Sequence, residues 1–156
     1  MEIFWKTIGL YNAATWEWQL GIILIGIILT VLLTRNPQPW VKNGMKIYLI
    51  AVYLWISVIY YYIYCAERSY NEVMALFWAI MAILWGWDAL SGYTTFERTR
   101  KYDWLAYFLF AMPFIYPLIS MARGLTFPEM TSPVMPCSVV VFTIGLLSVS
   151  YTHLRA

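Results

Sequence analysis

The stretch WEWQLGIILIGIILTVLLT, residues 16–34, carries no charge after Glu17 and contains no proline. The hydrocarbon core of a bilayer is about 30 Å thick, and an α-helix needs roughly 20 apolar residues to cross it. This stretch has that length and composition, so it predicts a transmembrane helix. It also decides the class of fold, because a segment surrounded by lipid must satisfy its backbone hydrogen bonds internally.

The rest of the chain repeats this pattern. Further apolar runs of spanning length occupy residues 46–65, 72–92 and 103–121. A shorter run begins at residue 135 and stays apolar through Leu147. Together these runs predict an all-α membrane protein, a bundle of four full transmembrane helices plus a truncated fifth, in a single domain over residues 1–148.

Composition supports the same class. Hydrophobic residues make up 62% of the chain and charged residues only 12%, whereas an ordinary soluble domain carries about 25% charged residues. A soluble chain of this size buries only roughly two-thirds of the surface that it exposes when unfolded, so it could not hide this much apolar surface from water. Membrane lipid is therefore the expected surrounding. The net charge of +2 is small and scattered, which argues against a nucleic-acid partner.

The N-terminal segment MEIFWKTIGLY, residues 1–11, has a different pattern. Ile3, Phe4 and Ile8 can share one helix face, and the nearby tryptophans suit the headgroup region. We expect residues 2–11 to form an N-terminal interfacial helix that lies on the membrane. Asn12 or Thr15 would then cap the first spanning helix.

Two motifs resemble those of a known family. LYNAATW, residues 10–16, and PCSVVVFTIGLL, residues 136–147, are similar to segments of an uncharacterised family of bacterial multi-pass membrane proteins, a domain of unknown function. The chain departs from the family pattern at Ser138, where a second proline is expected, and at tyrosines 60–62, where a histidine is expected. The resemblance implies a multi-pass fold and brings no activity or cofactor with it.

The same resemblance bears on the end of the chain. Similar proteins continue past the Gly-Leu-Leu motif with further hydrophobic segments, so we expect this chain to be cut within its fifth span. Residues 149–156, VSYTHLRA, are interpreted as a non-native tail that resembles a translated sequencing adaptor. An ordinary cluster of membrane-exit residues is the alternative. On either interpretation His153 is not a site residue.

Basic residues predict the orientation, because lysine and arginine concentrate in cytoplasmic loops. In this chain the first and third connections hold Arg35, Lys42, Lys46, Arg98, Arg100 and Lys101. The opposite side holds Lys6, Arg68 and Arg123. With the family resemblance, this bias predicts the bacterial inner (cytoplasmic) membrane, with the N-terminus outside.

Asp88 lies inside the third apolar run, about one turn from its predicted cytoplasmic end. A carboxylate within a membrane is costly and often serves a proton or ion pathway. Asp88 is therefore a candidate solute- or ion-lining residue. The alternative is a boundary residue that pairs with Arg98, Arg100 or Lys101.

The second span carries a hydroxyl-bearing stripe at helical spacing, which adds to the candidate lining. Its members are Tyr53, Ser57, Tyr60, Tyr61 and Tyr64. The outer tyrosines also suit an aromatic belt. The deeper Tyr53 and Ser57 need hydrogen-bond partners, either on neighbouring helices or in a wet cavity.

Sulfur-bearing residues form the last candidate site. Cys65 and Cys137 are both expected at the outer surface, where an oxidising compartment favours a disulfide. Free packed thiols are the second interpretation. A soft-metal site that includes Met130 and Met135 is the third, since thiolate and thioether ligands select ions such as Cu(I). The sequence indicates no firm metal site and no cofactor.

These features lead to a functional expectation. We expect an integral membrane protein that binds or moves a small solute or ion across the membrane, with a homo-oligomer as the expected assembly. The alternative is a structural or accessory subunit that packs against a partner membrane protein. No arrangement of acid, base and nucleophile is visible in the sequence, so an enzyme is not expected. Pro113 and Pro117 predict a kinked or broken fourth span.

Overall fold

The computed structural model describes residues 2–97 and 101–149, and within these ranges the regular secondary structure is helical, without any strand. The five helices are α1 (Glu2–Arg35), α2 (Pro39–Trp55, continued by a π-helical segment, Ile56–Tyr64), α3 (Asn71–Ser91), α4 (Asp103–Ala122) and α5 (Pro136–Val149). Residues 150–156, including His153, lie outside the described residues, so the structure says nothing about the predicted tail beyond Val149.

Helix α1 is one uninterrupted helix of 34 residues. The prediction of a separate interfacial helix over residues 2–11, with a cap at Asn12 or Thr15, is therefore wrong. The local sequence explains the continuity, because Ala13 and Ala14 are strong helix formers and no proline interrupts the segment. Thr15 donates to the main-chain oxygen of Tyr11 at 2.6 Å, which is a bond within the helix and not a cap.

Helix α2 begins earlier than residue 46, the predicted start of the second span. Gln38 is extended (φ −67°, ψ 152°) and is followed by Pro39 at the first helical position. Proline is favoured there, because a main-chain N–H at that position would have no partner within the helix and proline has none. At its other end the helix widens into the π-helical segment. This segment closes with a bond from the main-chain nitrogen of Cys65 to the oxygen of Tyr60 at 3.0 Å, the i→i−5 pattern of a π-helix.

The core is built around α2, which contacts α1, α3 and α5. Residues three or four apart on this helix form a single stripe, and each is at most 4% exposed. The stripe consists of Val41, Met45, Leu49, Val52 and Ile56. Since this spacing places the side chains on one helix face, the periodicity of the apolar residues explains why α2 occupies the centre.

Helix α3 packs along α2 and the π-helical segment. It uses the stripe Ala75, Trp78, Ala82 and Trp85, which is buried. The small residues Ala75 and Ala82 therefore serve packing inside the protein and do not form an outer face. The helix ends at Gly92, whose positive φ of 70° is the left-handed conformation that commonly terminates helices.

Helix α4 runs without interruption through Pro113 and Pro117, so of the two outcomes predicted for the fourth span, a kink or a break, the break is wrong. It pairs with α5, and Gly145 permits the close approach. A Cβ atom at Gly145 would lie 2.9 Å from Cε1 of Phe110 and 3.2 Å from Cβ of Leu109, which is closer than ordinary packing allows.

Four helices, α1 to α4, are long and apolar enough to cross a membrane, whereas α5 is shorter. The α1–α2 and α3–α4 connections lie at one end of the bundle. Large aromatic side chains are exposed in and near them, namely Trp40, Trp87, Tyr93, Tyr102 and Trp104. Such a belt is typical of a membrane–water interface. The predicted all-α architecture with four helices of spanning length is thus confirmed.

Candidate functional site

The two deeper residues of the predicted lining, Tyr53 and Ser57, are buried between helices. The Tyr53 hydroxyl donates to Oγ1 of Thr143 on α5 at 3.1 Å. The Ser57 hydroxyl donates to the main-chain oxygen of Ala75 on α3 at 2.6 Å. Each hydroxyl therefore joins its helix to a neighbouring one, which satisfies a polar group that lipid could not.

The outer tyrosines of the same stripe meet the N-terminal part of α1. The ring of Tyr11 makes edge contacts with Tyr60 and Tyr64, at centroid distances of 5.0 and 5.8 Å. Tyr60 also contacts Tyr61 at 5.0 Å. Edge-to-face geometry is the favourable one for aromatic pairs. Tyr64 is half-buried and lines an open cleft beside Trp18.

A polar network on α1 was missed as a candidate site. Asn12 is 2% exposed, and its Nδ2 donates to the main-chain oxygens of Pro128 and Met130 at 2.8 and 2.7 Å. Gln19 Nε2 donates to Oδ1 of Asn12 at 3.2 Å and to Oγ1 of Thr15 at 2.9 Å. The α4–α5 connection is thereby bound to α1 through side-chain amides.

Tyr11 extends this network. Its hydroxyl donates to the main-chain oxygen of Val134 at 2.7 Å and accepts from Nε1 of Trp55 at 2.9 Å. The signal was present in the sequence, because Tyr11, Asn12, Thr15 and Gln19 follow helical spacing. Asn12 and Thr15 also suit a helix start, so the sequence pattern predicts a cap here and not a polar network.

Asp88 forms a buried ion pair. Its Oδ2 lies 2.8 Å from Nζ of Lys46, and the two side chains are only 15% and 6% exposed. Oδ1 accepts from the main-chain nitrogen of Thr94 at 2.8 Å. The partner is thus on α2 and not in the α3–α4 connection, so the expected pairing with Lys101 is wrong, while Arg98 and Arg100 lie outside the described residues. The antiparallel packing of α2 and α3 places the start of one beside the end of the other.

The sulfur-bearing residues differ in burial. Cys65 is buried, Cys137 is exposed, and both thiols are free. Burial raises the pKa of the Cys65 thiol, although the Arg68 charge and the Tyr60 hydroxyl oppose the shift. Met135 is buried with its Sδ accepting from the main-chain nitrogen of Ser132 at 3.4 Å, and Met130 is half-buried. Among the described residues no group of three histidine, cysteine or acidic side chains could hold a metal ion.

The best-defined cavity lies elsewhere, between α1 and α4, with α2 and α5 at its back. It has a volume of about 270 Å³. Its wall is formed mainly by aliphatic and aromatic side chains, including Ile23, Ile27, Leu49, Phe110, Phe114 and Phe142. Asp88, Tyr53 and Ser57 are not part of this wall.

The polar side chains that do reach the cavity are engaged within the protein. Thr30 Oγ1 donates to the main-chain oxygen of Gly26 at 2.7 Å, and Tyr48 Oη donates to that of Ile22 at 3.1 Å. Gly26 leaves room for this arrangement, because a Cβ atom there would overlap the Tyr48 hydroxyl. These two hydroxyls therefore already donate within the protein, and most of the remaining wall is apolar.

Comparison with known proteins gives one match. The model of a family described as "Family of unknown function (DUF6064)" matches residues 1–155. No curated protein and no solved structure matches the chain.

Proposed function

The chain belongs to the DUF6064 family, whose function is unknown, and we propose that it is an integral membrane protein that binds an apolar molecule dissolved in the bilayer. The binding site is the cavity between α1 and α4. The observation that carries this proposal is the cavity itself, about 270 Å³ in volume with a nearly wholly apolar wall. Its size lies close to the lower end of the range for small-molecule sites.

The chemistry of the wall supports an apolar ligand over an ion. An ion that leaves water needs charged or polar partners, because burial of an unpaired charge is very costly. The cavity lining contains no acidic or basic residue, and the hydroxyls of Thr30 and Tyr48 are already bonded to main-chain oxygens. A hydrocarbon ligand requires none of these partners.

The cavity is also placed to receive a ligand from the membrane. Ile27 and Val31 of α1 are 42% and 44% exposed, and Tyr107 and Phe114 of α4 are 49% and 44% exposed. These residues belong to the lining, so they form a rim that faces the surroundings of the bundle. In a membrane that rim faces lipid, and a ligand can enter sideways without crossing water.

The expected solute- or ion-moving function is revised accordingly. The Asp88 carboxylate forms an ion pair with Lys46. The hydroxyls of Tyr53 and Ser57 form hydrogen bonds with neighbouring helices. These contacts favour a structural role for the stripe and for Asp88. We therefore propose that the protein binds a ligand in the membrane and neither conducts ions nor catalyses a reaction. The distribution of lysine and arginine supports an orientation with the N-terminus outside, and the bacterial inner membrane is the location that we propose.

Mass spectrometry of the intact purified protein tests the proposal. The wild type should retain an apolar adduct after extraction in mild detergent. Ile27→Trp, which places an indole in the cavity, should lose it. Ile28→Trp is the matched control, because Ile28 is the next residue, is 56% exposed and does not line the cavity. Equal adducts in the two variants, or none in the wild type, would refute the proposal.

A second function, packing against a partner membrane protein or a second copy, is supported by the length of α1. Its 34 residues extend over about 51 Å, well beyond a hydrocarbon core of about 30 Å. Ile3, Phe4 and Leu10 remain exposed in its N-terminal turns. Light scattering of the detergent-solubilised protein tests the homo-oligomer: Leu10→Asp should lower its mass, and a monomeric wild type would exclude self-association.

A further inference from the structure

The cavity between α1 and α4 has one chemically distinct end. Along α1 its wall extends from Ile22 to Thr34, a distance of about 18 Å. The residue after Thr34 is Arg35, the last residue of α1, and its side chain is exposed. Within residues 2–97 and 101–149 Arg35 forms no ion pair. A free guanidinium thus lies next to the end of a long apolar slot.

A second cation lies at the same end of the other wall. Helix α4 begins at Asp103 and contributes Tyr107 to the cavity about one turn later. Lys101 lies two residues before this helix and is exposed, with its ammonium 5.4 Å from the centre of the Tyr102 ring. Because α1 ends and α4 begins on the same side of the bundle, both cations lie toward the same end of the cavity.

We propose that the cavity holds an acyl chain of an anionic glycerophospholipid, whose phosphate is bound by Arg35 and Lys101. This inference rests on the proposed function and names the class of ligand. The long apolar cavity suits a hydrocarbon chain, and the rim formed by exposed residues lets that chain enter from the surrounding lipid. The guanidinium suits the phosphate, because its planar donors pair with two oxygens at once.

The positions of the two cations and of the apolar cavity along the membrane normal agree with a phospholipid ligand. A phospholipid places its phosphate at the interface and its chains toward the membrane centre. Here the cations lie near helix ends, on the same side of the bundle as the exposed side chains of Trp40 and Trp104, and such tryptophans mark an interface. The apolar slot extends from that level toward the middle of α1. An uncharged apolar ligand would fill the cavity and leave Arg35 and Lys101 without a binding partner.

Electron paramagnetic resonance with spin-labelled lipids tests the inference. The protein is reconstituted in phosphatidylcholine vesicles with a trace of chain-labelled phosphatidylglycerol or, separately, chain-labelled phosphatidylcholine. The motionally restricted fraction should show a preference of about fivefold or more for phosphatidylglycerol, as expected for cations near the membrane surface. High salt should weaken this preference, because screening reduces exposed charge interactions.

Two pairs of variants separate the possible outcomes. Arg35→Gln combined with Lys101→Gln should reduce the restricted phosphatidylglycerol to the level of phosphatidylcholine. Arg123→Gln, which removes an exposed charge at the opposite end of α4, should not. Ile27→Trp should reduce restriction of both lipids relative to Ile28→Trp. Equal restriction of both lipids, sensitive to Ile27→Trp, would overturn the anionic ligand and leave the proposed function standing. No effect of Ile27→Trp on either lipid would overturn both.

Discussion

Lys46 and Asp88 are joined twice across the α2–α3 interface. The Lys46 ammonium lies 2.8 Å from Oδ2 of Asp88 and donates to the main-chain oxygen of the same residue at 3.2 Å. That oxygen also accepts from the main-chain nitrogen of Gly92 at 2.8 Å. A cation near the end of a helix is favourable because it meets the negative end of the helix dipole. The pair thus fastens the end of α3 to the start of α2.

Asp88→Asn should therefore lower the free energy of unfolding strongly, because it leaves the buried Lys46 charge without its counter-ion. Loss of one partner from a buried pair costs about 3–5 kcal/mol. Thermal unfolding in detergent measures the effect. The matched control is Glu67→Gln, since the Lys6–Glu67 pair is 3.8 Å apart and its side chains are 64% and 71% exposed, and such pairs contribute at most about 1 kcal/mol. Equal losses in both variants would contradict a structural role for the Lys46–Asp88 pair.

Asn12→Ala should loosen the α4–α5 connection. The substitution leaves the carbonyls of Pro128 and Met130 without their donor, at a cost of about 1–3 kcal/mol for each group that remains buried. We expect a lower melting temperature and faster proteolysis within residues 124–135. Asn43→Ala is the control, because Asn43 is exposed on α2 and its loss should change the free energy of unfolding by no more than about 0.5 kcal/mol. Unchanged proteolysis in Asn12→Ala would show that these hydrogen bonds do not hold the connection.

Gly145→Ala should destabilise the pairing of α4 and α5. The added methyl group would meet the ring of Phe110 at 2.9 Å, and overpacking of this kind costs about 1–3 kcal/mol. Gly86→Ala is the matched control, since a Cβ atom there has no neighbour within 4 Å. The control should be neutral or stabilising, because alanine favours helix by up to about 1 kcal/mol over glycine. Similar melting temperatures for the two variants would contradict the close approach.

The two cysteines should differ in reactivity toward a thiol reagent. Cys137 is exposed, whereas Cys65 is buried and burial raises the pKa of its thiol. Since the thiolate is the reactive form, a raised pKa means a smaller reactive fraction near neutral pH and a reaction rate that keeps rising into alkaline pH. We expect rapid labelling of Cys137 in the folded protein and slow labelling of Cys65 until unfolding. Fast labelling of Cys65 in Cys137→Ser at neutral pH would contradict this.

The same chemistry tests the orientation. In spheroplasts a membrane-impermeant thiol reagent should label Cys137 without permeabilisation. A cysteine introduced at Asn36, exposed between α1 and α2, should be protected in a variant that lacks both natural cysteines. The opposite pattern of labelling would place the N-terminus in the cytoplasm.

The sequence by itself determined the class of fold and the approximate positions of the spans. Residues 16–34 have the length and apolarity of a membrane span, and a backbone exposed to lipid satisfies its hydrogen bonds by forming a helix. The structure has a helix there that is long and apolar enough to cross a membrane. The spacing of the stripe from Val41 to Ile56 likewise marks the face that α2 buries. These features depend on residues close to one another along the chain.

Tertiary structure alone decided which of these faces meet. Asn12 binds the oxygen of Met130, 118 residues away along the chain. Asp88 pairs with Lys46, 42 residues away, and not with Lys101. The cavity is lined by α1, α2, α4 and α5 together, so no single segment contains its pattern. Helical periodicity assigns each side chain to a face, whereas the partner of that face follows from how whole helices pack, and that packing depends on side-chain shape summed over the bundle.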